Sequence, residues 1–394
     1  MAEREGFEPS IRFCRILTFQ ASAFDHSATA PHALEIARPS GLARLSQAAG
    51  LWHDVLMTAA ILRSLLLSTL LLVPPAGAQE GVPAAPPAPG EIVAGAPAED
   101  WRDIAADDLL VMTLAPDAQG QARQIVIQLM TAPISTGWVN NIRTLARAHW
   151  YDGVAVTRVQ DNYVAQWGDP DGAEPARAKR LPPGLATMTE AQYVIDGKSD
   201  PALARALLRH GMQVAPAIAR AHGAADEPPP ARGDAYADGT LFFNGWPLAT
   251  ARDSTKVWPI HCYGTVGVGR DMSPDTGTGA ELYAVIGHAP RHLDRNIAVV
   301  GRVIEGIEHL SSLPRGTGPL GTYVDAAQYV PVASIRLASD LPAAQQPRFQ
   351  YLATDSDAFA RYADARANRR DPFFIVPAGG ADVCNIPVPI RRKP

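Results

Sequence analysis

The stretch Tyr151-Asp152-Gly153-Val154-Ala155-Val156-Thr157-Arg158-Val159, continued by Asn162-Tyr163-Val164-Ala165-Gln166-Trp167-Gly168-Asp169-Pro170, decides how this chain is read. Tyr151-Asp152-Gly153 has turn chemistry, because glycine supplies backbone angles that side chains resist. Val154 to Val159 alternates between two faces like a strand. Tyr163 to Gln166 reads as a second strand, closed by Trp167-Gly168-Asp169-Pro170.

Similar short runs lie on both sides. Leu109 to Leu114 and Gln124 to Leu129 flank Pro116-Asp117-Ala118-Gln119-Gly120, which predicts a hairpin. Gly137 to Ala148 carries Trp138, Ile142 and Leu145 at helical spacing. Strand signals return at Gly264 to Gly269, Leu282 to Ile286 and Ala298 to Val303. A helix is expected over Ile304 to Leu313, ended by Pro314-Arg315-Gly316, and a last strand over Val332 to Leu337. Many short strands with glycine-rich turns predict a mainly β chain built on a closed antiparallel barrel.

Two regions fall outside that pattern. From about 172 to 259 the chain is punctuated by Pro182-Pro183 and Pro228-Pro229-Pro230, and reads as a helical or irregular insert. Within it, Asp200 caps a helix running to His210 with Pro201 in its first turn, and Thr189 to Val194 and Ala215 to Ala221 also read as helical. A connection this long tends to be functional or to form a subdomain. Residues 341–394 form a C-terminal extension with a helix over Asp355 to Asn368.

The chain has 394 residues, 47% hydrophobic and 19% charged, and a formal net charge of −5. A weakly acidic balance offers no basic stripe for nucleic acid, so no nucleic-acid partner is expected. Met57 to Arg63, the apolar run Leu65 to Val73, and Pro74-Pro75-Ala76-Gly77-Ala78 read as a signal peptide over 57–78, with an exported, periplasmic protein implied. Residues 1–56 are then an upstream extension without a fold, and Met57 the initiator. The Ala/Pro-rich residues 79–99 read as a semi-rigid linker, and the barrel is expected over 100–340. No membrane span is expected in the mature protein; oligomeric state is not encoded in these patterns.

Past the leader, Cys262 and Cys384 remain. In an oxidising compartment they either pair or stand as two separate buried thiols. No Cys-x-x-Cys occurs. His288 and His292 are four apart, but Pro290 between them breaks a helical metal site, so neither metal nor cofactor is expected.

The first stretch, with Ala132-Pro133 and Trp138-Val139-Asn140 before it, resembles the signature of the cyclophilin-type peptidyl-prolyl cis/trans isomerases. Gly264-Thr265-Val266-Gly267, Gly279-Ala280-Glu281-Leu282-Tyr283, Leu293-Asp294 and Val300-Gly301-Arg302-Val303-Ile304-Glu305-Gly306 are similar to the family's second half in order and spacing. The resemblance implies an eight-stranded antiparallel barrel capped by helices, and isomerisation of X-Pro bonds in polypeptide substrates.

Prolyl rotation crosses a barrier of about 18–20 kcal/mol, at a state where amide resonance is lost. It needs no acid, base or cofactor, only an apolar socket for the ring and a donor aimed at a lone pair present in the twisted state alone. The resemblance assigns that donor to Arg158, with Gln166 bonding substrate backbone or holding Arg158. It assigns substrate contacts to Tyr163, Val164, Gly269, Arg270, Glu281, Tyr283, His292 and Leu293. Several depart from the family pattern: Tyr163 replaces Phe, Val164 replaces Met, Glu281 replaces Gln and His292 replaces Trp. Gly269-Arg270-Asp271 replaces Ala-Asn-Ala, Ile297 replaces a pocket His, and Trp167 stands where Gly is common. These departures keep a second expectation open, a catalytically weak or inactive module that holds proline segments.

Overall fold

The computed structural model describes residues 85–209, 234–251 and 255–394. The leader over 57–78, the extension before it and the helix expected over Ala215 to Ala221 lie outside the described residues. In chain order the strands are β1 (Trp101–Asp103), β2 (Leu109–Leu114), β3 (Arg123–Leu129), β4 (Ala155–Val159), β5 (Val164–Gly168), β6 (Ile195–Asp196), β7 (Gly239–Phe243) and β8 (Trp246–Thr250). They continue with β9 (Lys256–Pro259), β10 (Thr265–Val268), β11 (Leu282–Val285), β12 (Val299–Glu305), β13 (Val330–Leu337), β14 (Phe349–Leu352) and β15 (Ile390–Arg392). The α-helices are α1 (Pro89–Ala94), α2 (Thr136–Arg147), α3 over 201–209, α4 (Glu308–Ser311) and α5 (Asp357–Ala367).

Eight strands close into an antiparallel barrel in the order β10-β11-β5-β4-β13-β2-β3-β12. Leu110, Met112 and Leu114 of β2 and Ile125, Ile127 and Leu129 of β3 fill its interior. The intervening Leu109, Val111 and Val126 meet a second apolar cluster outside, so these strands read as continuous apolar runs because both faces are buried. The β2–β3 hairpin turns where Asp117 Oδ1 accepts from the backbone N–H groups of Gln119 and Gln121 at 2.9 and 2.8 Å. Helix α2 closes one end by burying Trp138, Ile142 and Leu145, and Trp138 Nε1 donates to the Thr276 carbonyl at 3.0 Å. The Tyr151-Asp152-Gly153 turn is anchored by Arg336, which donates to both Asp152 carboxylate oxygens at 2.6 and 2.7 Å.

Four expectations change. The folded chain begins inside the expected linker: α1 starts with Pro89 at its first turn and Glu91 accepting from the Ala88 N–H. Its Ile92 and Val93, with Ala96, pack on Trp101, Leu352, Phe359 and Tyr362, so an Ala/Pro-rich composition still supplies a docking face. The described insert carries a small four-stranded sheet amid irregular chain, in the order β6-β9-β8-β7, with Glu190–Tyr193 only a 3-10 turn. Its β7–β8 hairpin turns at Asn244 (φ 47°) and Gly245 (φ 82°), the left-handed pair that a two-residue turn demands. Last, the helix expected from Ile304 shrinks to α4. Strand β12 runs through Glu305, and Gly306 turns the chain at φ 81°, where a Cβ would lie 2.2 Å from the Gln124 carbonyl.

The C-terminal extension joins β1 in a three-stranded sheet, β1-β14-β15, where Trp101 pairs with Leu352 and Tyr351 with Ile390. A disulfide links Cys262 to Cys384, with their Cα atoms 5.2 Å apart.

Candidate active site

Strand alternation selects the site's residues. On β5, Ala165 and Trp167 point into the barrel core, while Val164 belongs to a cluster on the outer face. Trp167, fully buried among interior side chains, therefore takes no part in the outer face. On β11 the same rule sends Leu282 and Ala284 inward and Tyr283 and Val285 outward. Strand β4 needs a correction to its phase: Val156 pairs with Trp167 and Arg158 with Gln166, so Thr157 is an extra residue between two ladder pairs. That bulge re-aims Arg158 onto the outer face. Gln166 in turn pairs with Tyr283. Arg158, Gln166 and Tyr283 thus form one row across β4, β5 and β11.

Arg158 is 1% exposed. Its Nε donates to the Leu320 carbonyl at 2.7 Å, one terminal nitrogen to Gln166 Oε1 at 2.8 Å and the other to Gln160 Oε1 at 2.6 Å. The guanidinium lies 5.7 Å from the centre of the Tyr163 ring. Gln166, also 1% exposed, passes the chain on by donating from Nε2 to Glu281 Oε1. Burial pushes the Glu281 carboxyl above the usual carboxylate range, although the Gln166 bond and the Arg158 charge pull the other way. Gly168 and Gly269 flank Glu281; a Cβ at residue 269 would lie 2.7 Å from its Cγ.

Tyr283, Val164, Val285, Leu293 and Ile297 make a contiguous apolar cluster with Tyr163 packed on it. Tyr163 stacks on exposed His292, ring centres 6.3 Å apart and planes 10° from parallel. Of the residues expected to contact substrate, Tyr163, Val164, Tyr283, His292 and Leu293 converge here, next to the Arg158–Gln166–Glu281 chain. Gly269 lies against Glu281, whereas Arg270 turns aside, its Nε donating to the Asn296 carbonyl at 2.9 Å.

Gln160 and Leu320 were not singled out in sequence. Gln160 stands two residues beyond Arg158, a spacing that places it beside the guanidinium. The Leu320 carbonyl comes from a distant loop and carries no local signal. Among the described residues no group of His, Cys, Asp and Glu is placed to hold a metal ion.

The family model of the cyclophilin type peptidyl-prolyl cis-trans isomerase/CLD matches residues 117–337, more than half of the 394-residue chain. This chain is a cyclophilin-type isomerase. Its fold is similar to that of the cyclophilin AquaCyp293 from Hirschia baltica, at TM-score 0.51 and 22% identity over 74% of this chain and 92% of that one. A Cryptosporidium parvum cyclophilin type isomerase matches at TM-score 0.30 and 10% identity, over 58% of this chain and 96% of that one. No curated protein matches. In this cyclophilin the insert sheet and the β1-β14-β15 layer stand beside the eight-stranded barrel.

Proposed function

We propose that this isomerase acts on X-Pro bonds of exported polypeptides, with Arg158 stabilising the twisted prolyl amide and Tyr163, Val164, Tyr283, Leu293 and Ile297 receiving the ring. The observation that carries this reading is the Arg158–Gln166–Tyr283 row, which sets a fixed cation beside an apolar cluster. A guanidinium held by Leu320, Gln160 and Gln166 needs no reorganisation when the nitrogen lone pair appears. Away from water its field is stronger than it would be in solvent. Glu281 holds Gln166, and Gln166 holds Arg158.

The test is an NMR-exchange assay on a short X-Pro peptide. Arg158→Ala lowers the exchange rate about a hundredfold, the usual cost of removing one preorganised donor; equal rates overturn the role. Export rests on the leader-like residues 57–78. Mass spectrometry of the native protein tests it, and a tryptic peptide from 1–56 would sink it.

One observation favours a second reading, a module that holds proline segments with little rate enhancement. Arg158 and Tyr283 are 1% and 2% exposed, so a ring reaches them only if the side chains covering them move. Peptide binding with no acceleration in the same assay selects this reading.

A further inference from the structure

Behind the socket runs a buried polar chain that prolyl rotation does not use. The Tyr283 hydroxyl lies 2.9 Å from His261 Nε2. His261 Nδ1 lies 2.9 Å from Asp294 Oδ1, and the His261 backbone N–H donates to that same oxygen at 2.9 Å. Asp294 Oδ2 accepts from Arg291 Nε at 2.6 Å, and the Arg291 terminal nitrogens donate to Asp234 at 2.8 and 3.2 Å. All five residues are buried. Asp234 belongs to the insert. Arg291 also comes within 4.0 Å of Asp382 in the C-terminal extension, and Cys262, next to His261, is bridged to Cys384.

The chemistry of the chain fixes its direction. A carboxylate accepts, so Asp294 Oδ1 takes hydrogen bonds from the His261 backbone N–H and Nδ1, and Nε2 is left to meet the Tyr283 hydroxyl. A hydroxyl this deeply buried has no water to replace a lost partner, so it stays bonded or is left costly. Gly267 closes in on the hydroxyl end of the same ring, where a Cβ would lie 2.3 Å from the hydroxyl oxygen. The ring that floors the socket is thus held at its edge by one hydrogen bond from behind.

We infer that His261 is a positioning residue of the isomerase: through the Tyr283 hydroxyl it sets the floor of the proline socket, with Asp294, Arg291 and Asp234 tying that floor to the insert. The inference rests on the reading of Tyr283 as a socket residue. It also gives the appended segments a task, because the brace draws on parts of the chain outside the barrel.

A double-mutant cycle tests it. His261→Asn keeps a donor for Asp294 and loses the group that meets Tyr283, while Tyr283→Phe keeps the ring and loses the hydroxyl. Peptide affinity is read by NMR titration and the exchange rate at saturating peptide in the same samples. His261→Asn weakens X-Pro peptide binding about five- to tenfold, as loss of one buried hydrogen bond implies, and leaves the saturated rate within about twofold because Arg158 and Gln166 are untouched. In the Tyr283→Phe background the same substitution adds nothing. Equal effects in both backgrounds, or wild-type affinity in His261→Asn, overturn the inference. If His261→Asn does not fold, Tyr283→Phe reads the bond from its other end, and unchanged affinity there overturns it too. Arg158→Ala in parallel keeps the two claims apart. If it retains the wild-type rate, the catalytic reading fails; if it is slow while the cycle is additive, only the role of His261 fails.

Discussion

Gly267 faces Tyr283 across the β10–β11 ladder, and a Cβ at residue 267 would come 2.3 Å from the Tyr283 ring and hydroxyl. The absence of a side chain there is what leaves room for the ring and its hydroxyl. Gly267→Ala forces the ring out and costs about 1–3 kcal/mol of stability, the usual price of overpacking, together with peptide affinity. Thermal unfolding and peptide titration check both. Unchanged values would mean that the ring has room to move.

Glu281 predicts a pH dependence. Its carboxyl is raised above 4.5 by burial, so between that value and its folded value the native state holds a proton that the unfolded chain has released. Stability from this group therefore falls as pH rises through that window, and the deficit stays constant above it. Glu281→Gln removes the window. Urea titrations of both proteins at a series of pH values isolate it, and parallel curves would show that Glu281 ionises as it does in the unfolded chain.

The Cys262–Cys384 bridge closes a sequence separation of 122 residues. Cys384→Ser costs about 2–5 kcal/mol, and the loss appears in denaturation curves with reductant absent. Alkylation of the unreduced wild type labels neither Cys262 nor Cys384; labelling of both would show that the bridge does not form.

Trp167→Phe separates the barrel core from the groove. The indole N–H is buried and finds no hydrogen-bond partner among the described residues, so its removal offsets part of the lost apolar contact. Stability changes by no more than about 1–2 kcal/mol, and the exchange rate keeps its wild-type value. A slowed rate would place the Trp167 ring in the groove after all.

All eight barrel strands were legible, because each is a short apolar run bounded by turn residues. The insert's β7–β8 hairpin was not read, although Asn244-Gly245 lies between apolar runs, because proline-rich neighbours pointed to irregular structure. The β1-β14-β15 layer left no such trace. Its strands are three or four residues long, too short to show a period, and Trp101 meets a partner at Leu352, far along the chain.

The site divides the same way. Arg158 and Gln166 could be named from local order, since a motif preserves spacing along the chain. The direction in which they point could not. The Thr157 bulge turns Arg158 outward, and barrel closure buries Trp167 instead of leaving it on the outer face. The Tyr283–His261–Asp294–Arg291–Asp234 chain was invisible for a related reason. Its members come from four separate segments, Arg291 and Asp294 sharing one, and a histidine between Ile260 and Cys262 looks the same in sequence whether it is idle or holds a tyrosine. Sequence by itself determined the barrel, its family and the place of Arg158 in the family's motif, all properties of local pattern and order. Only the tertiary structure decided which faces those residues share and what braces them, because burial and hydrogen bonding depend on distances between residues far apart in the chain.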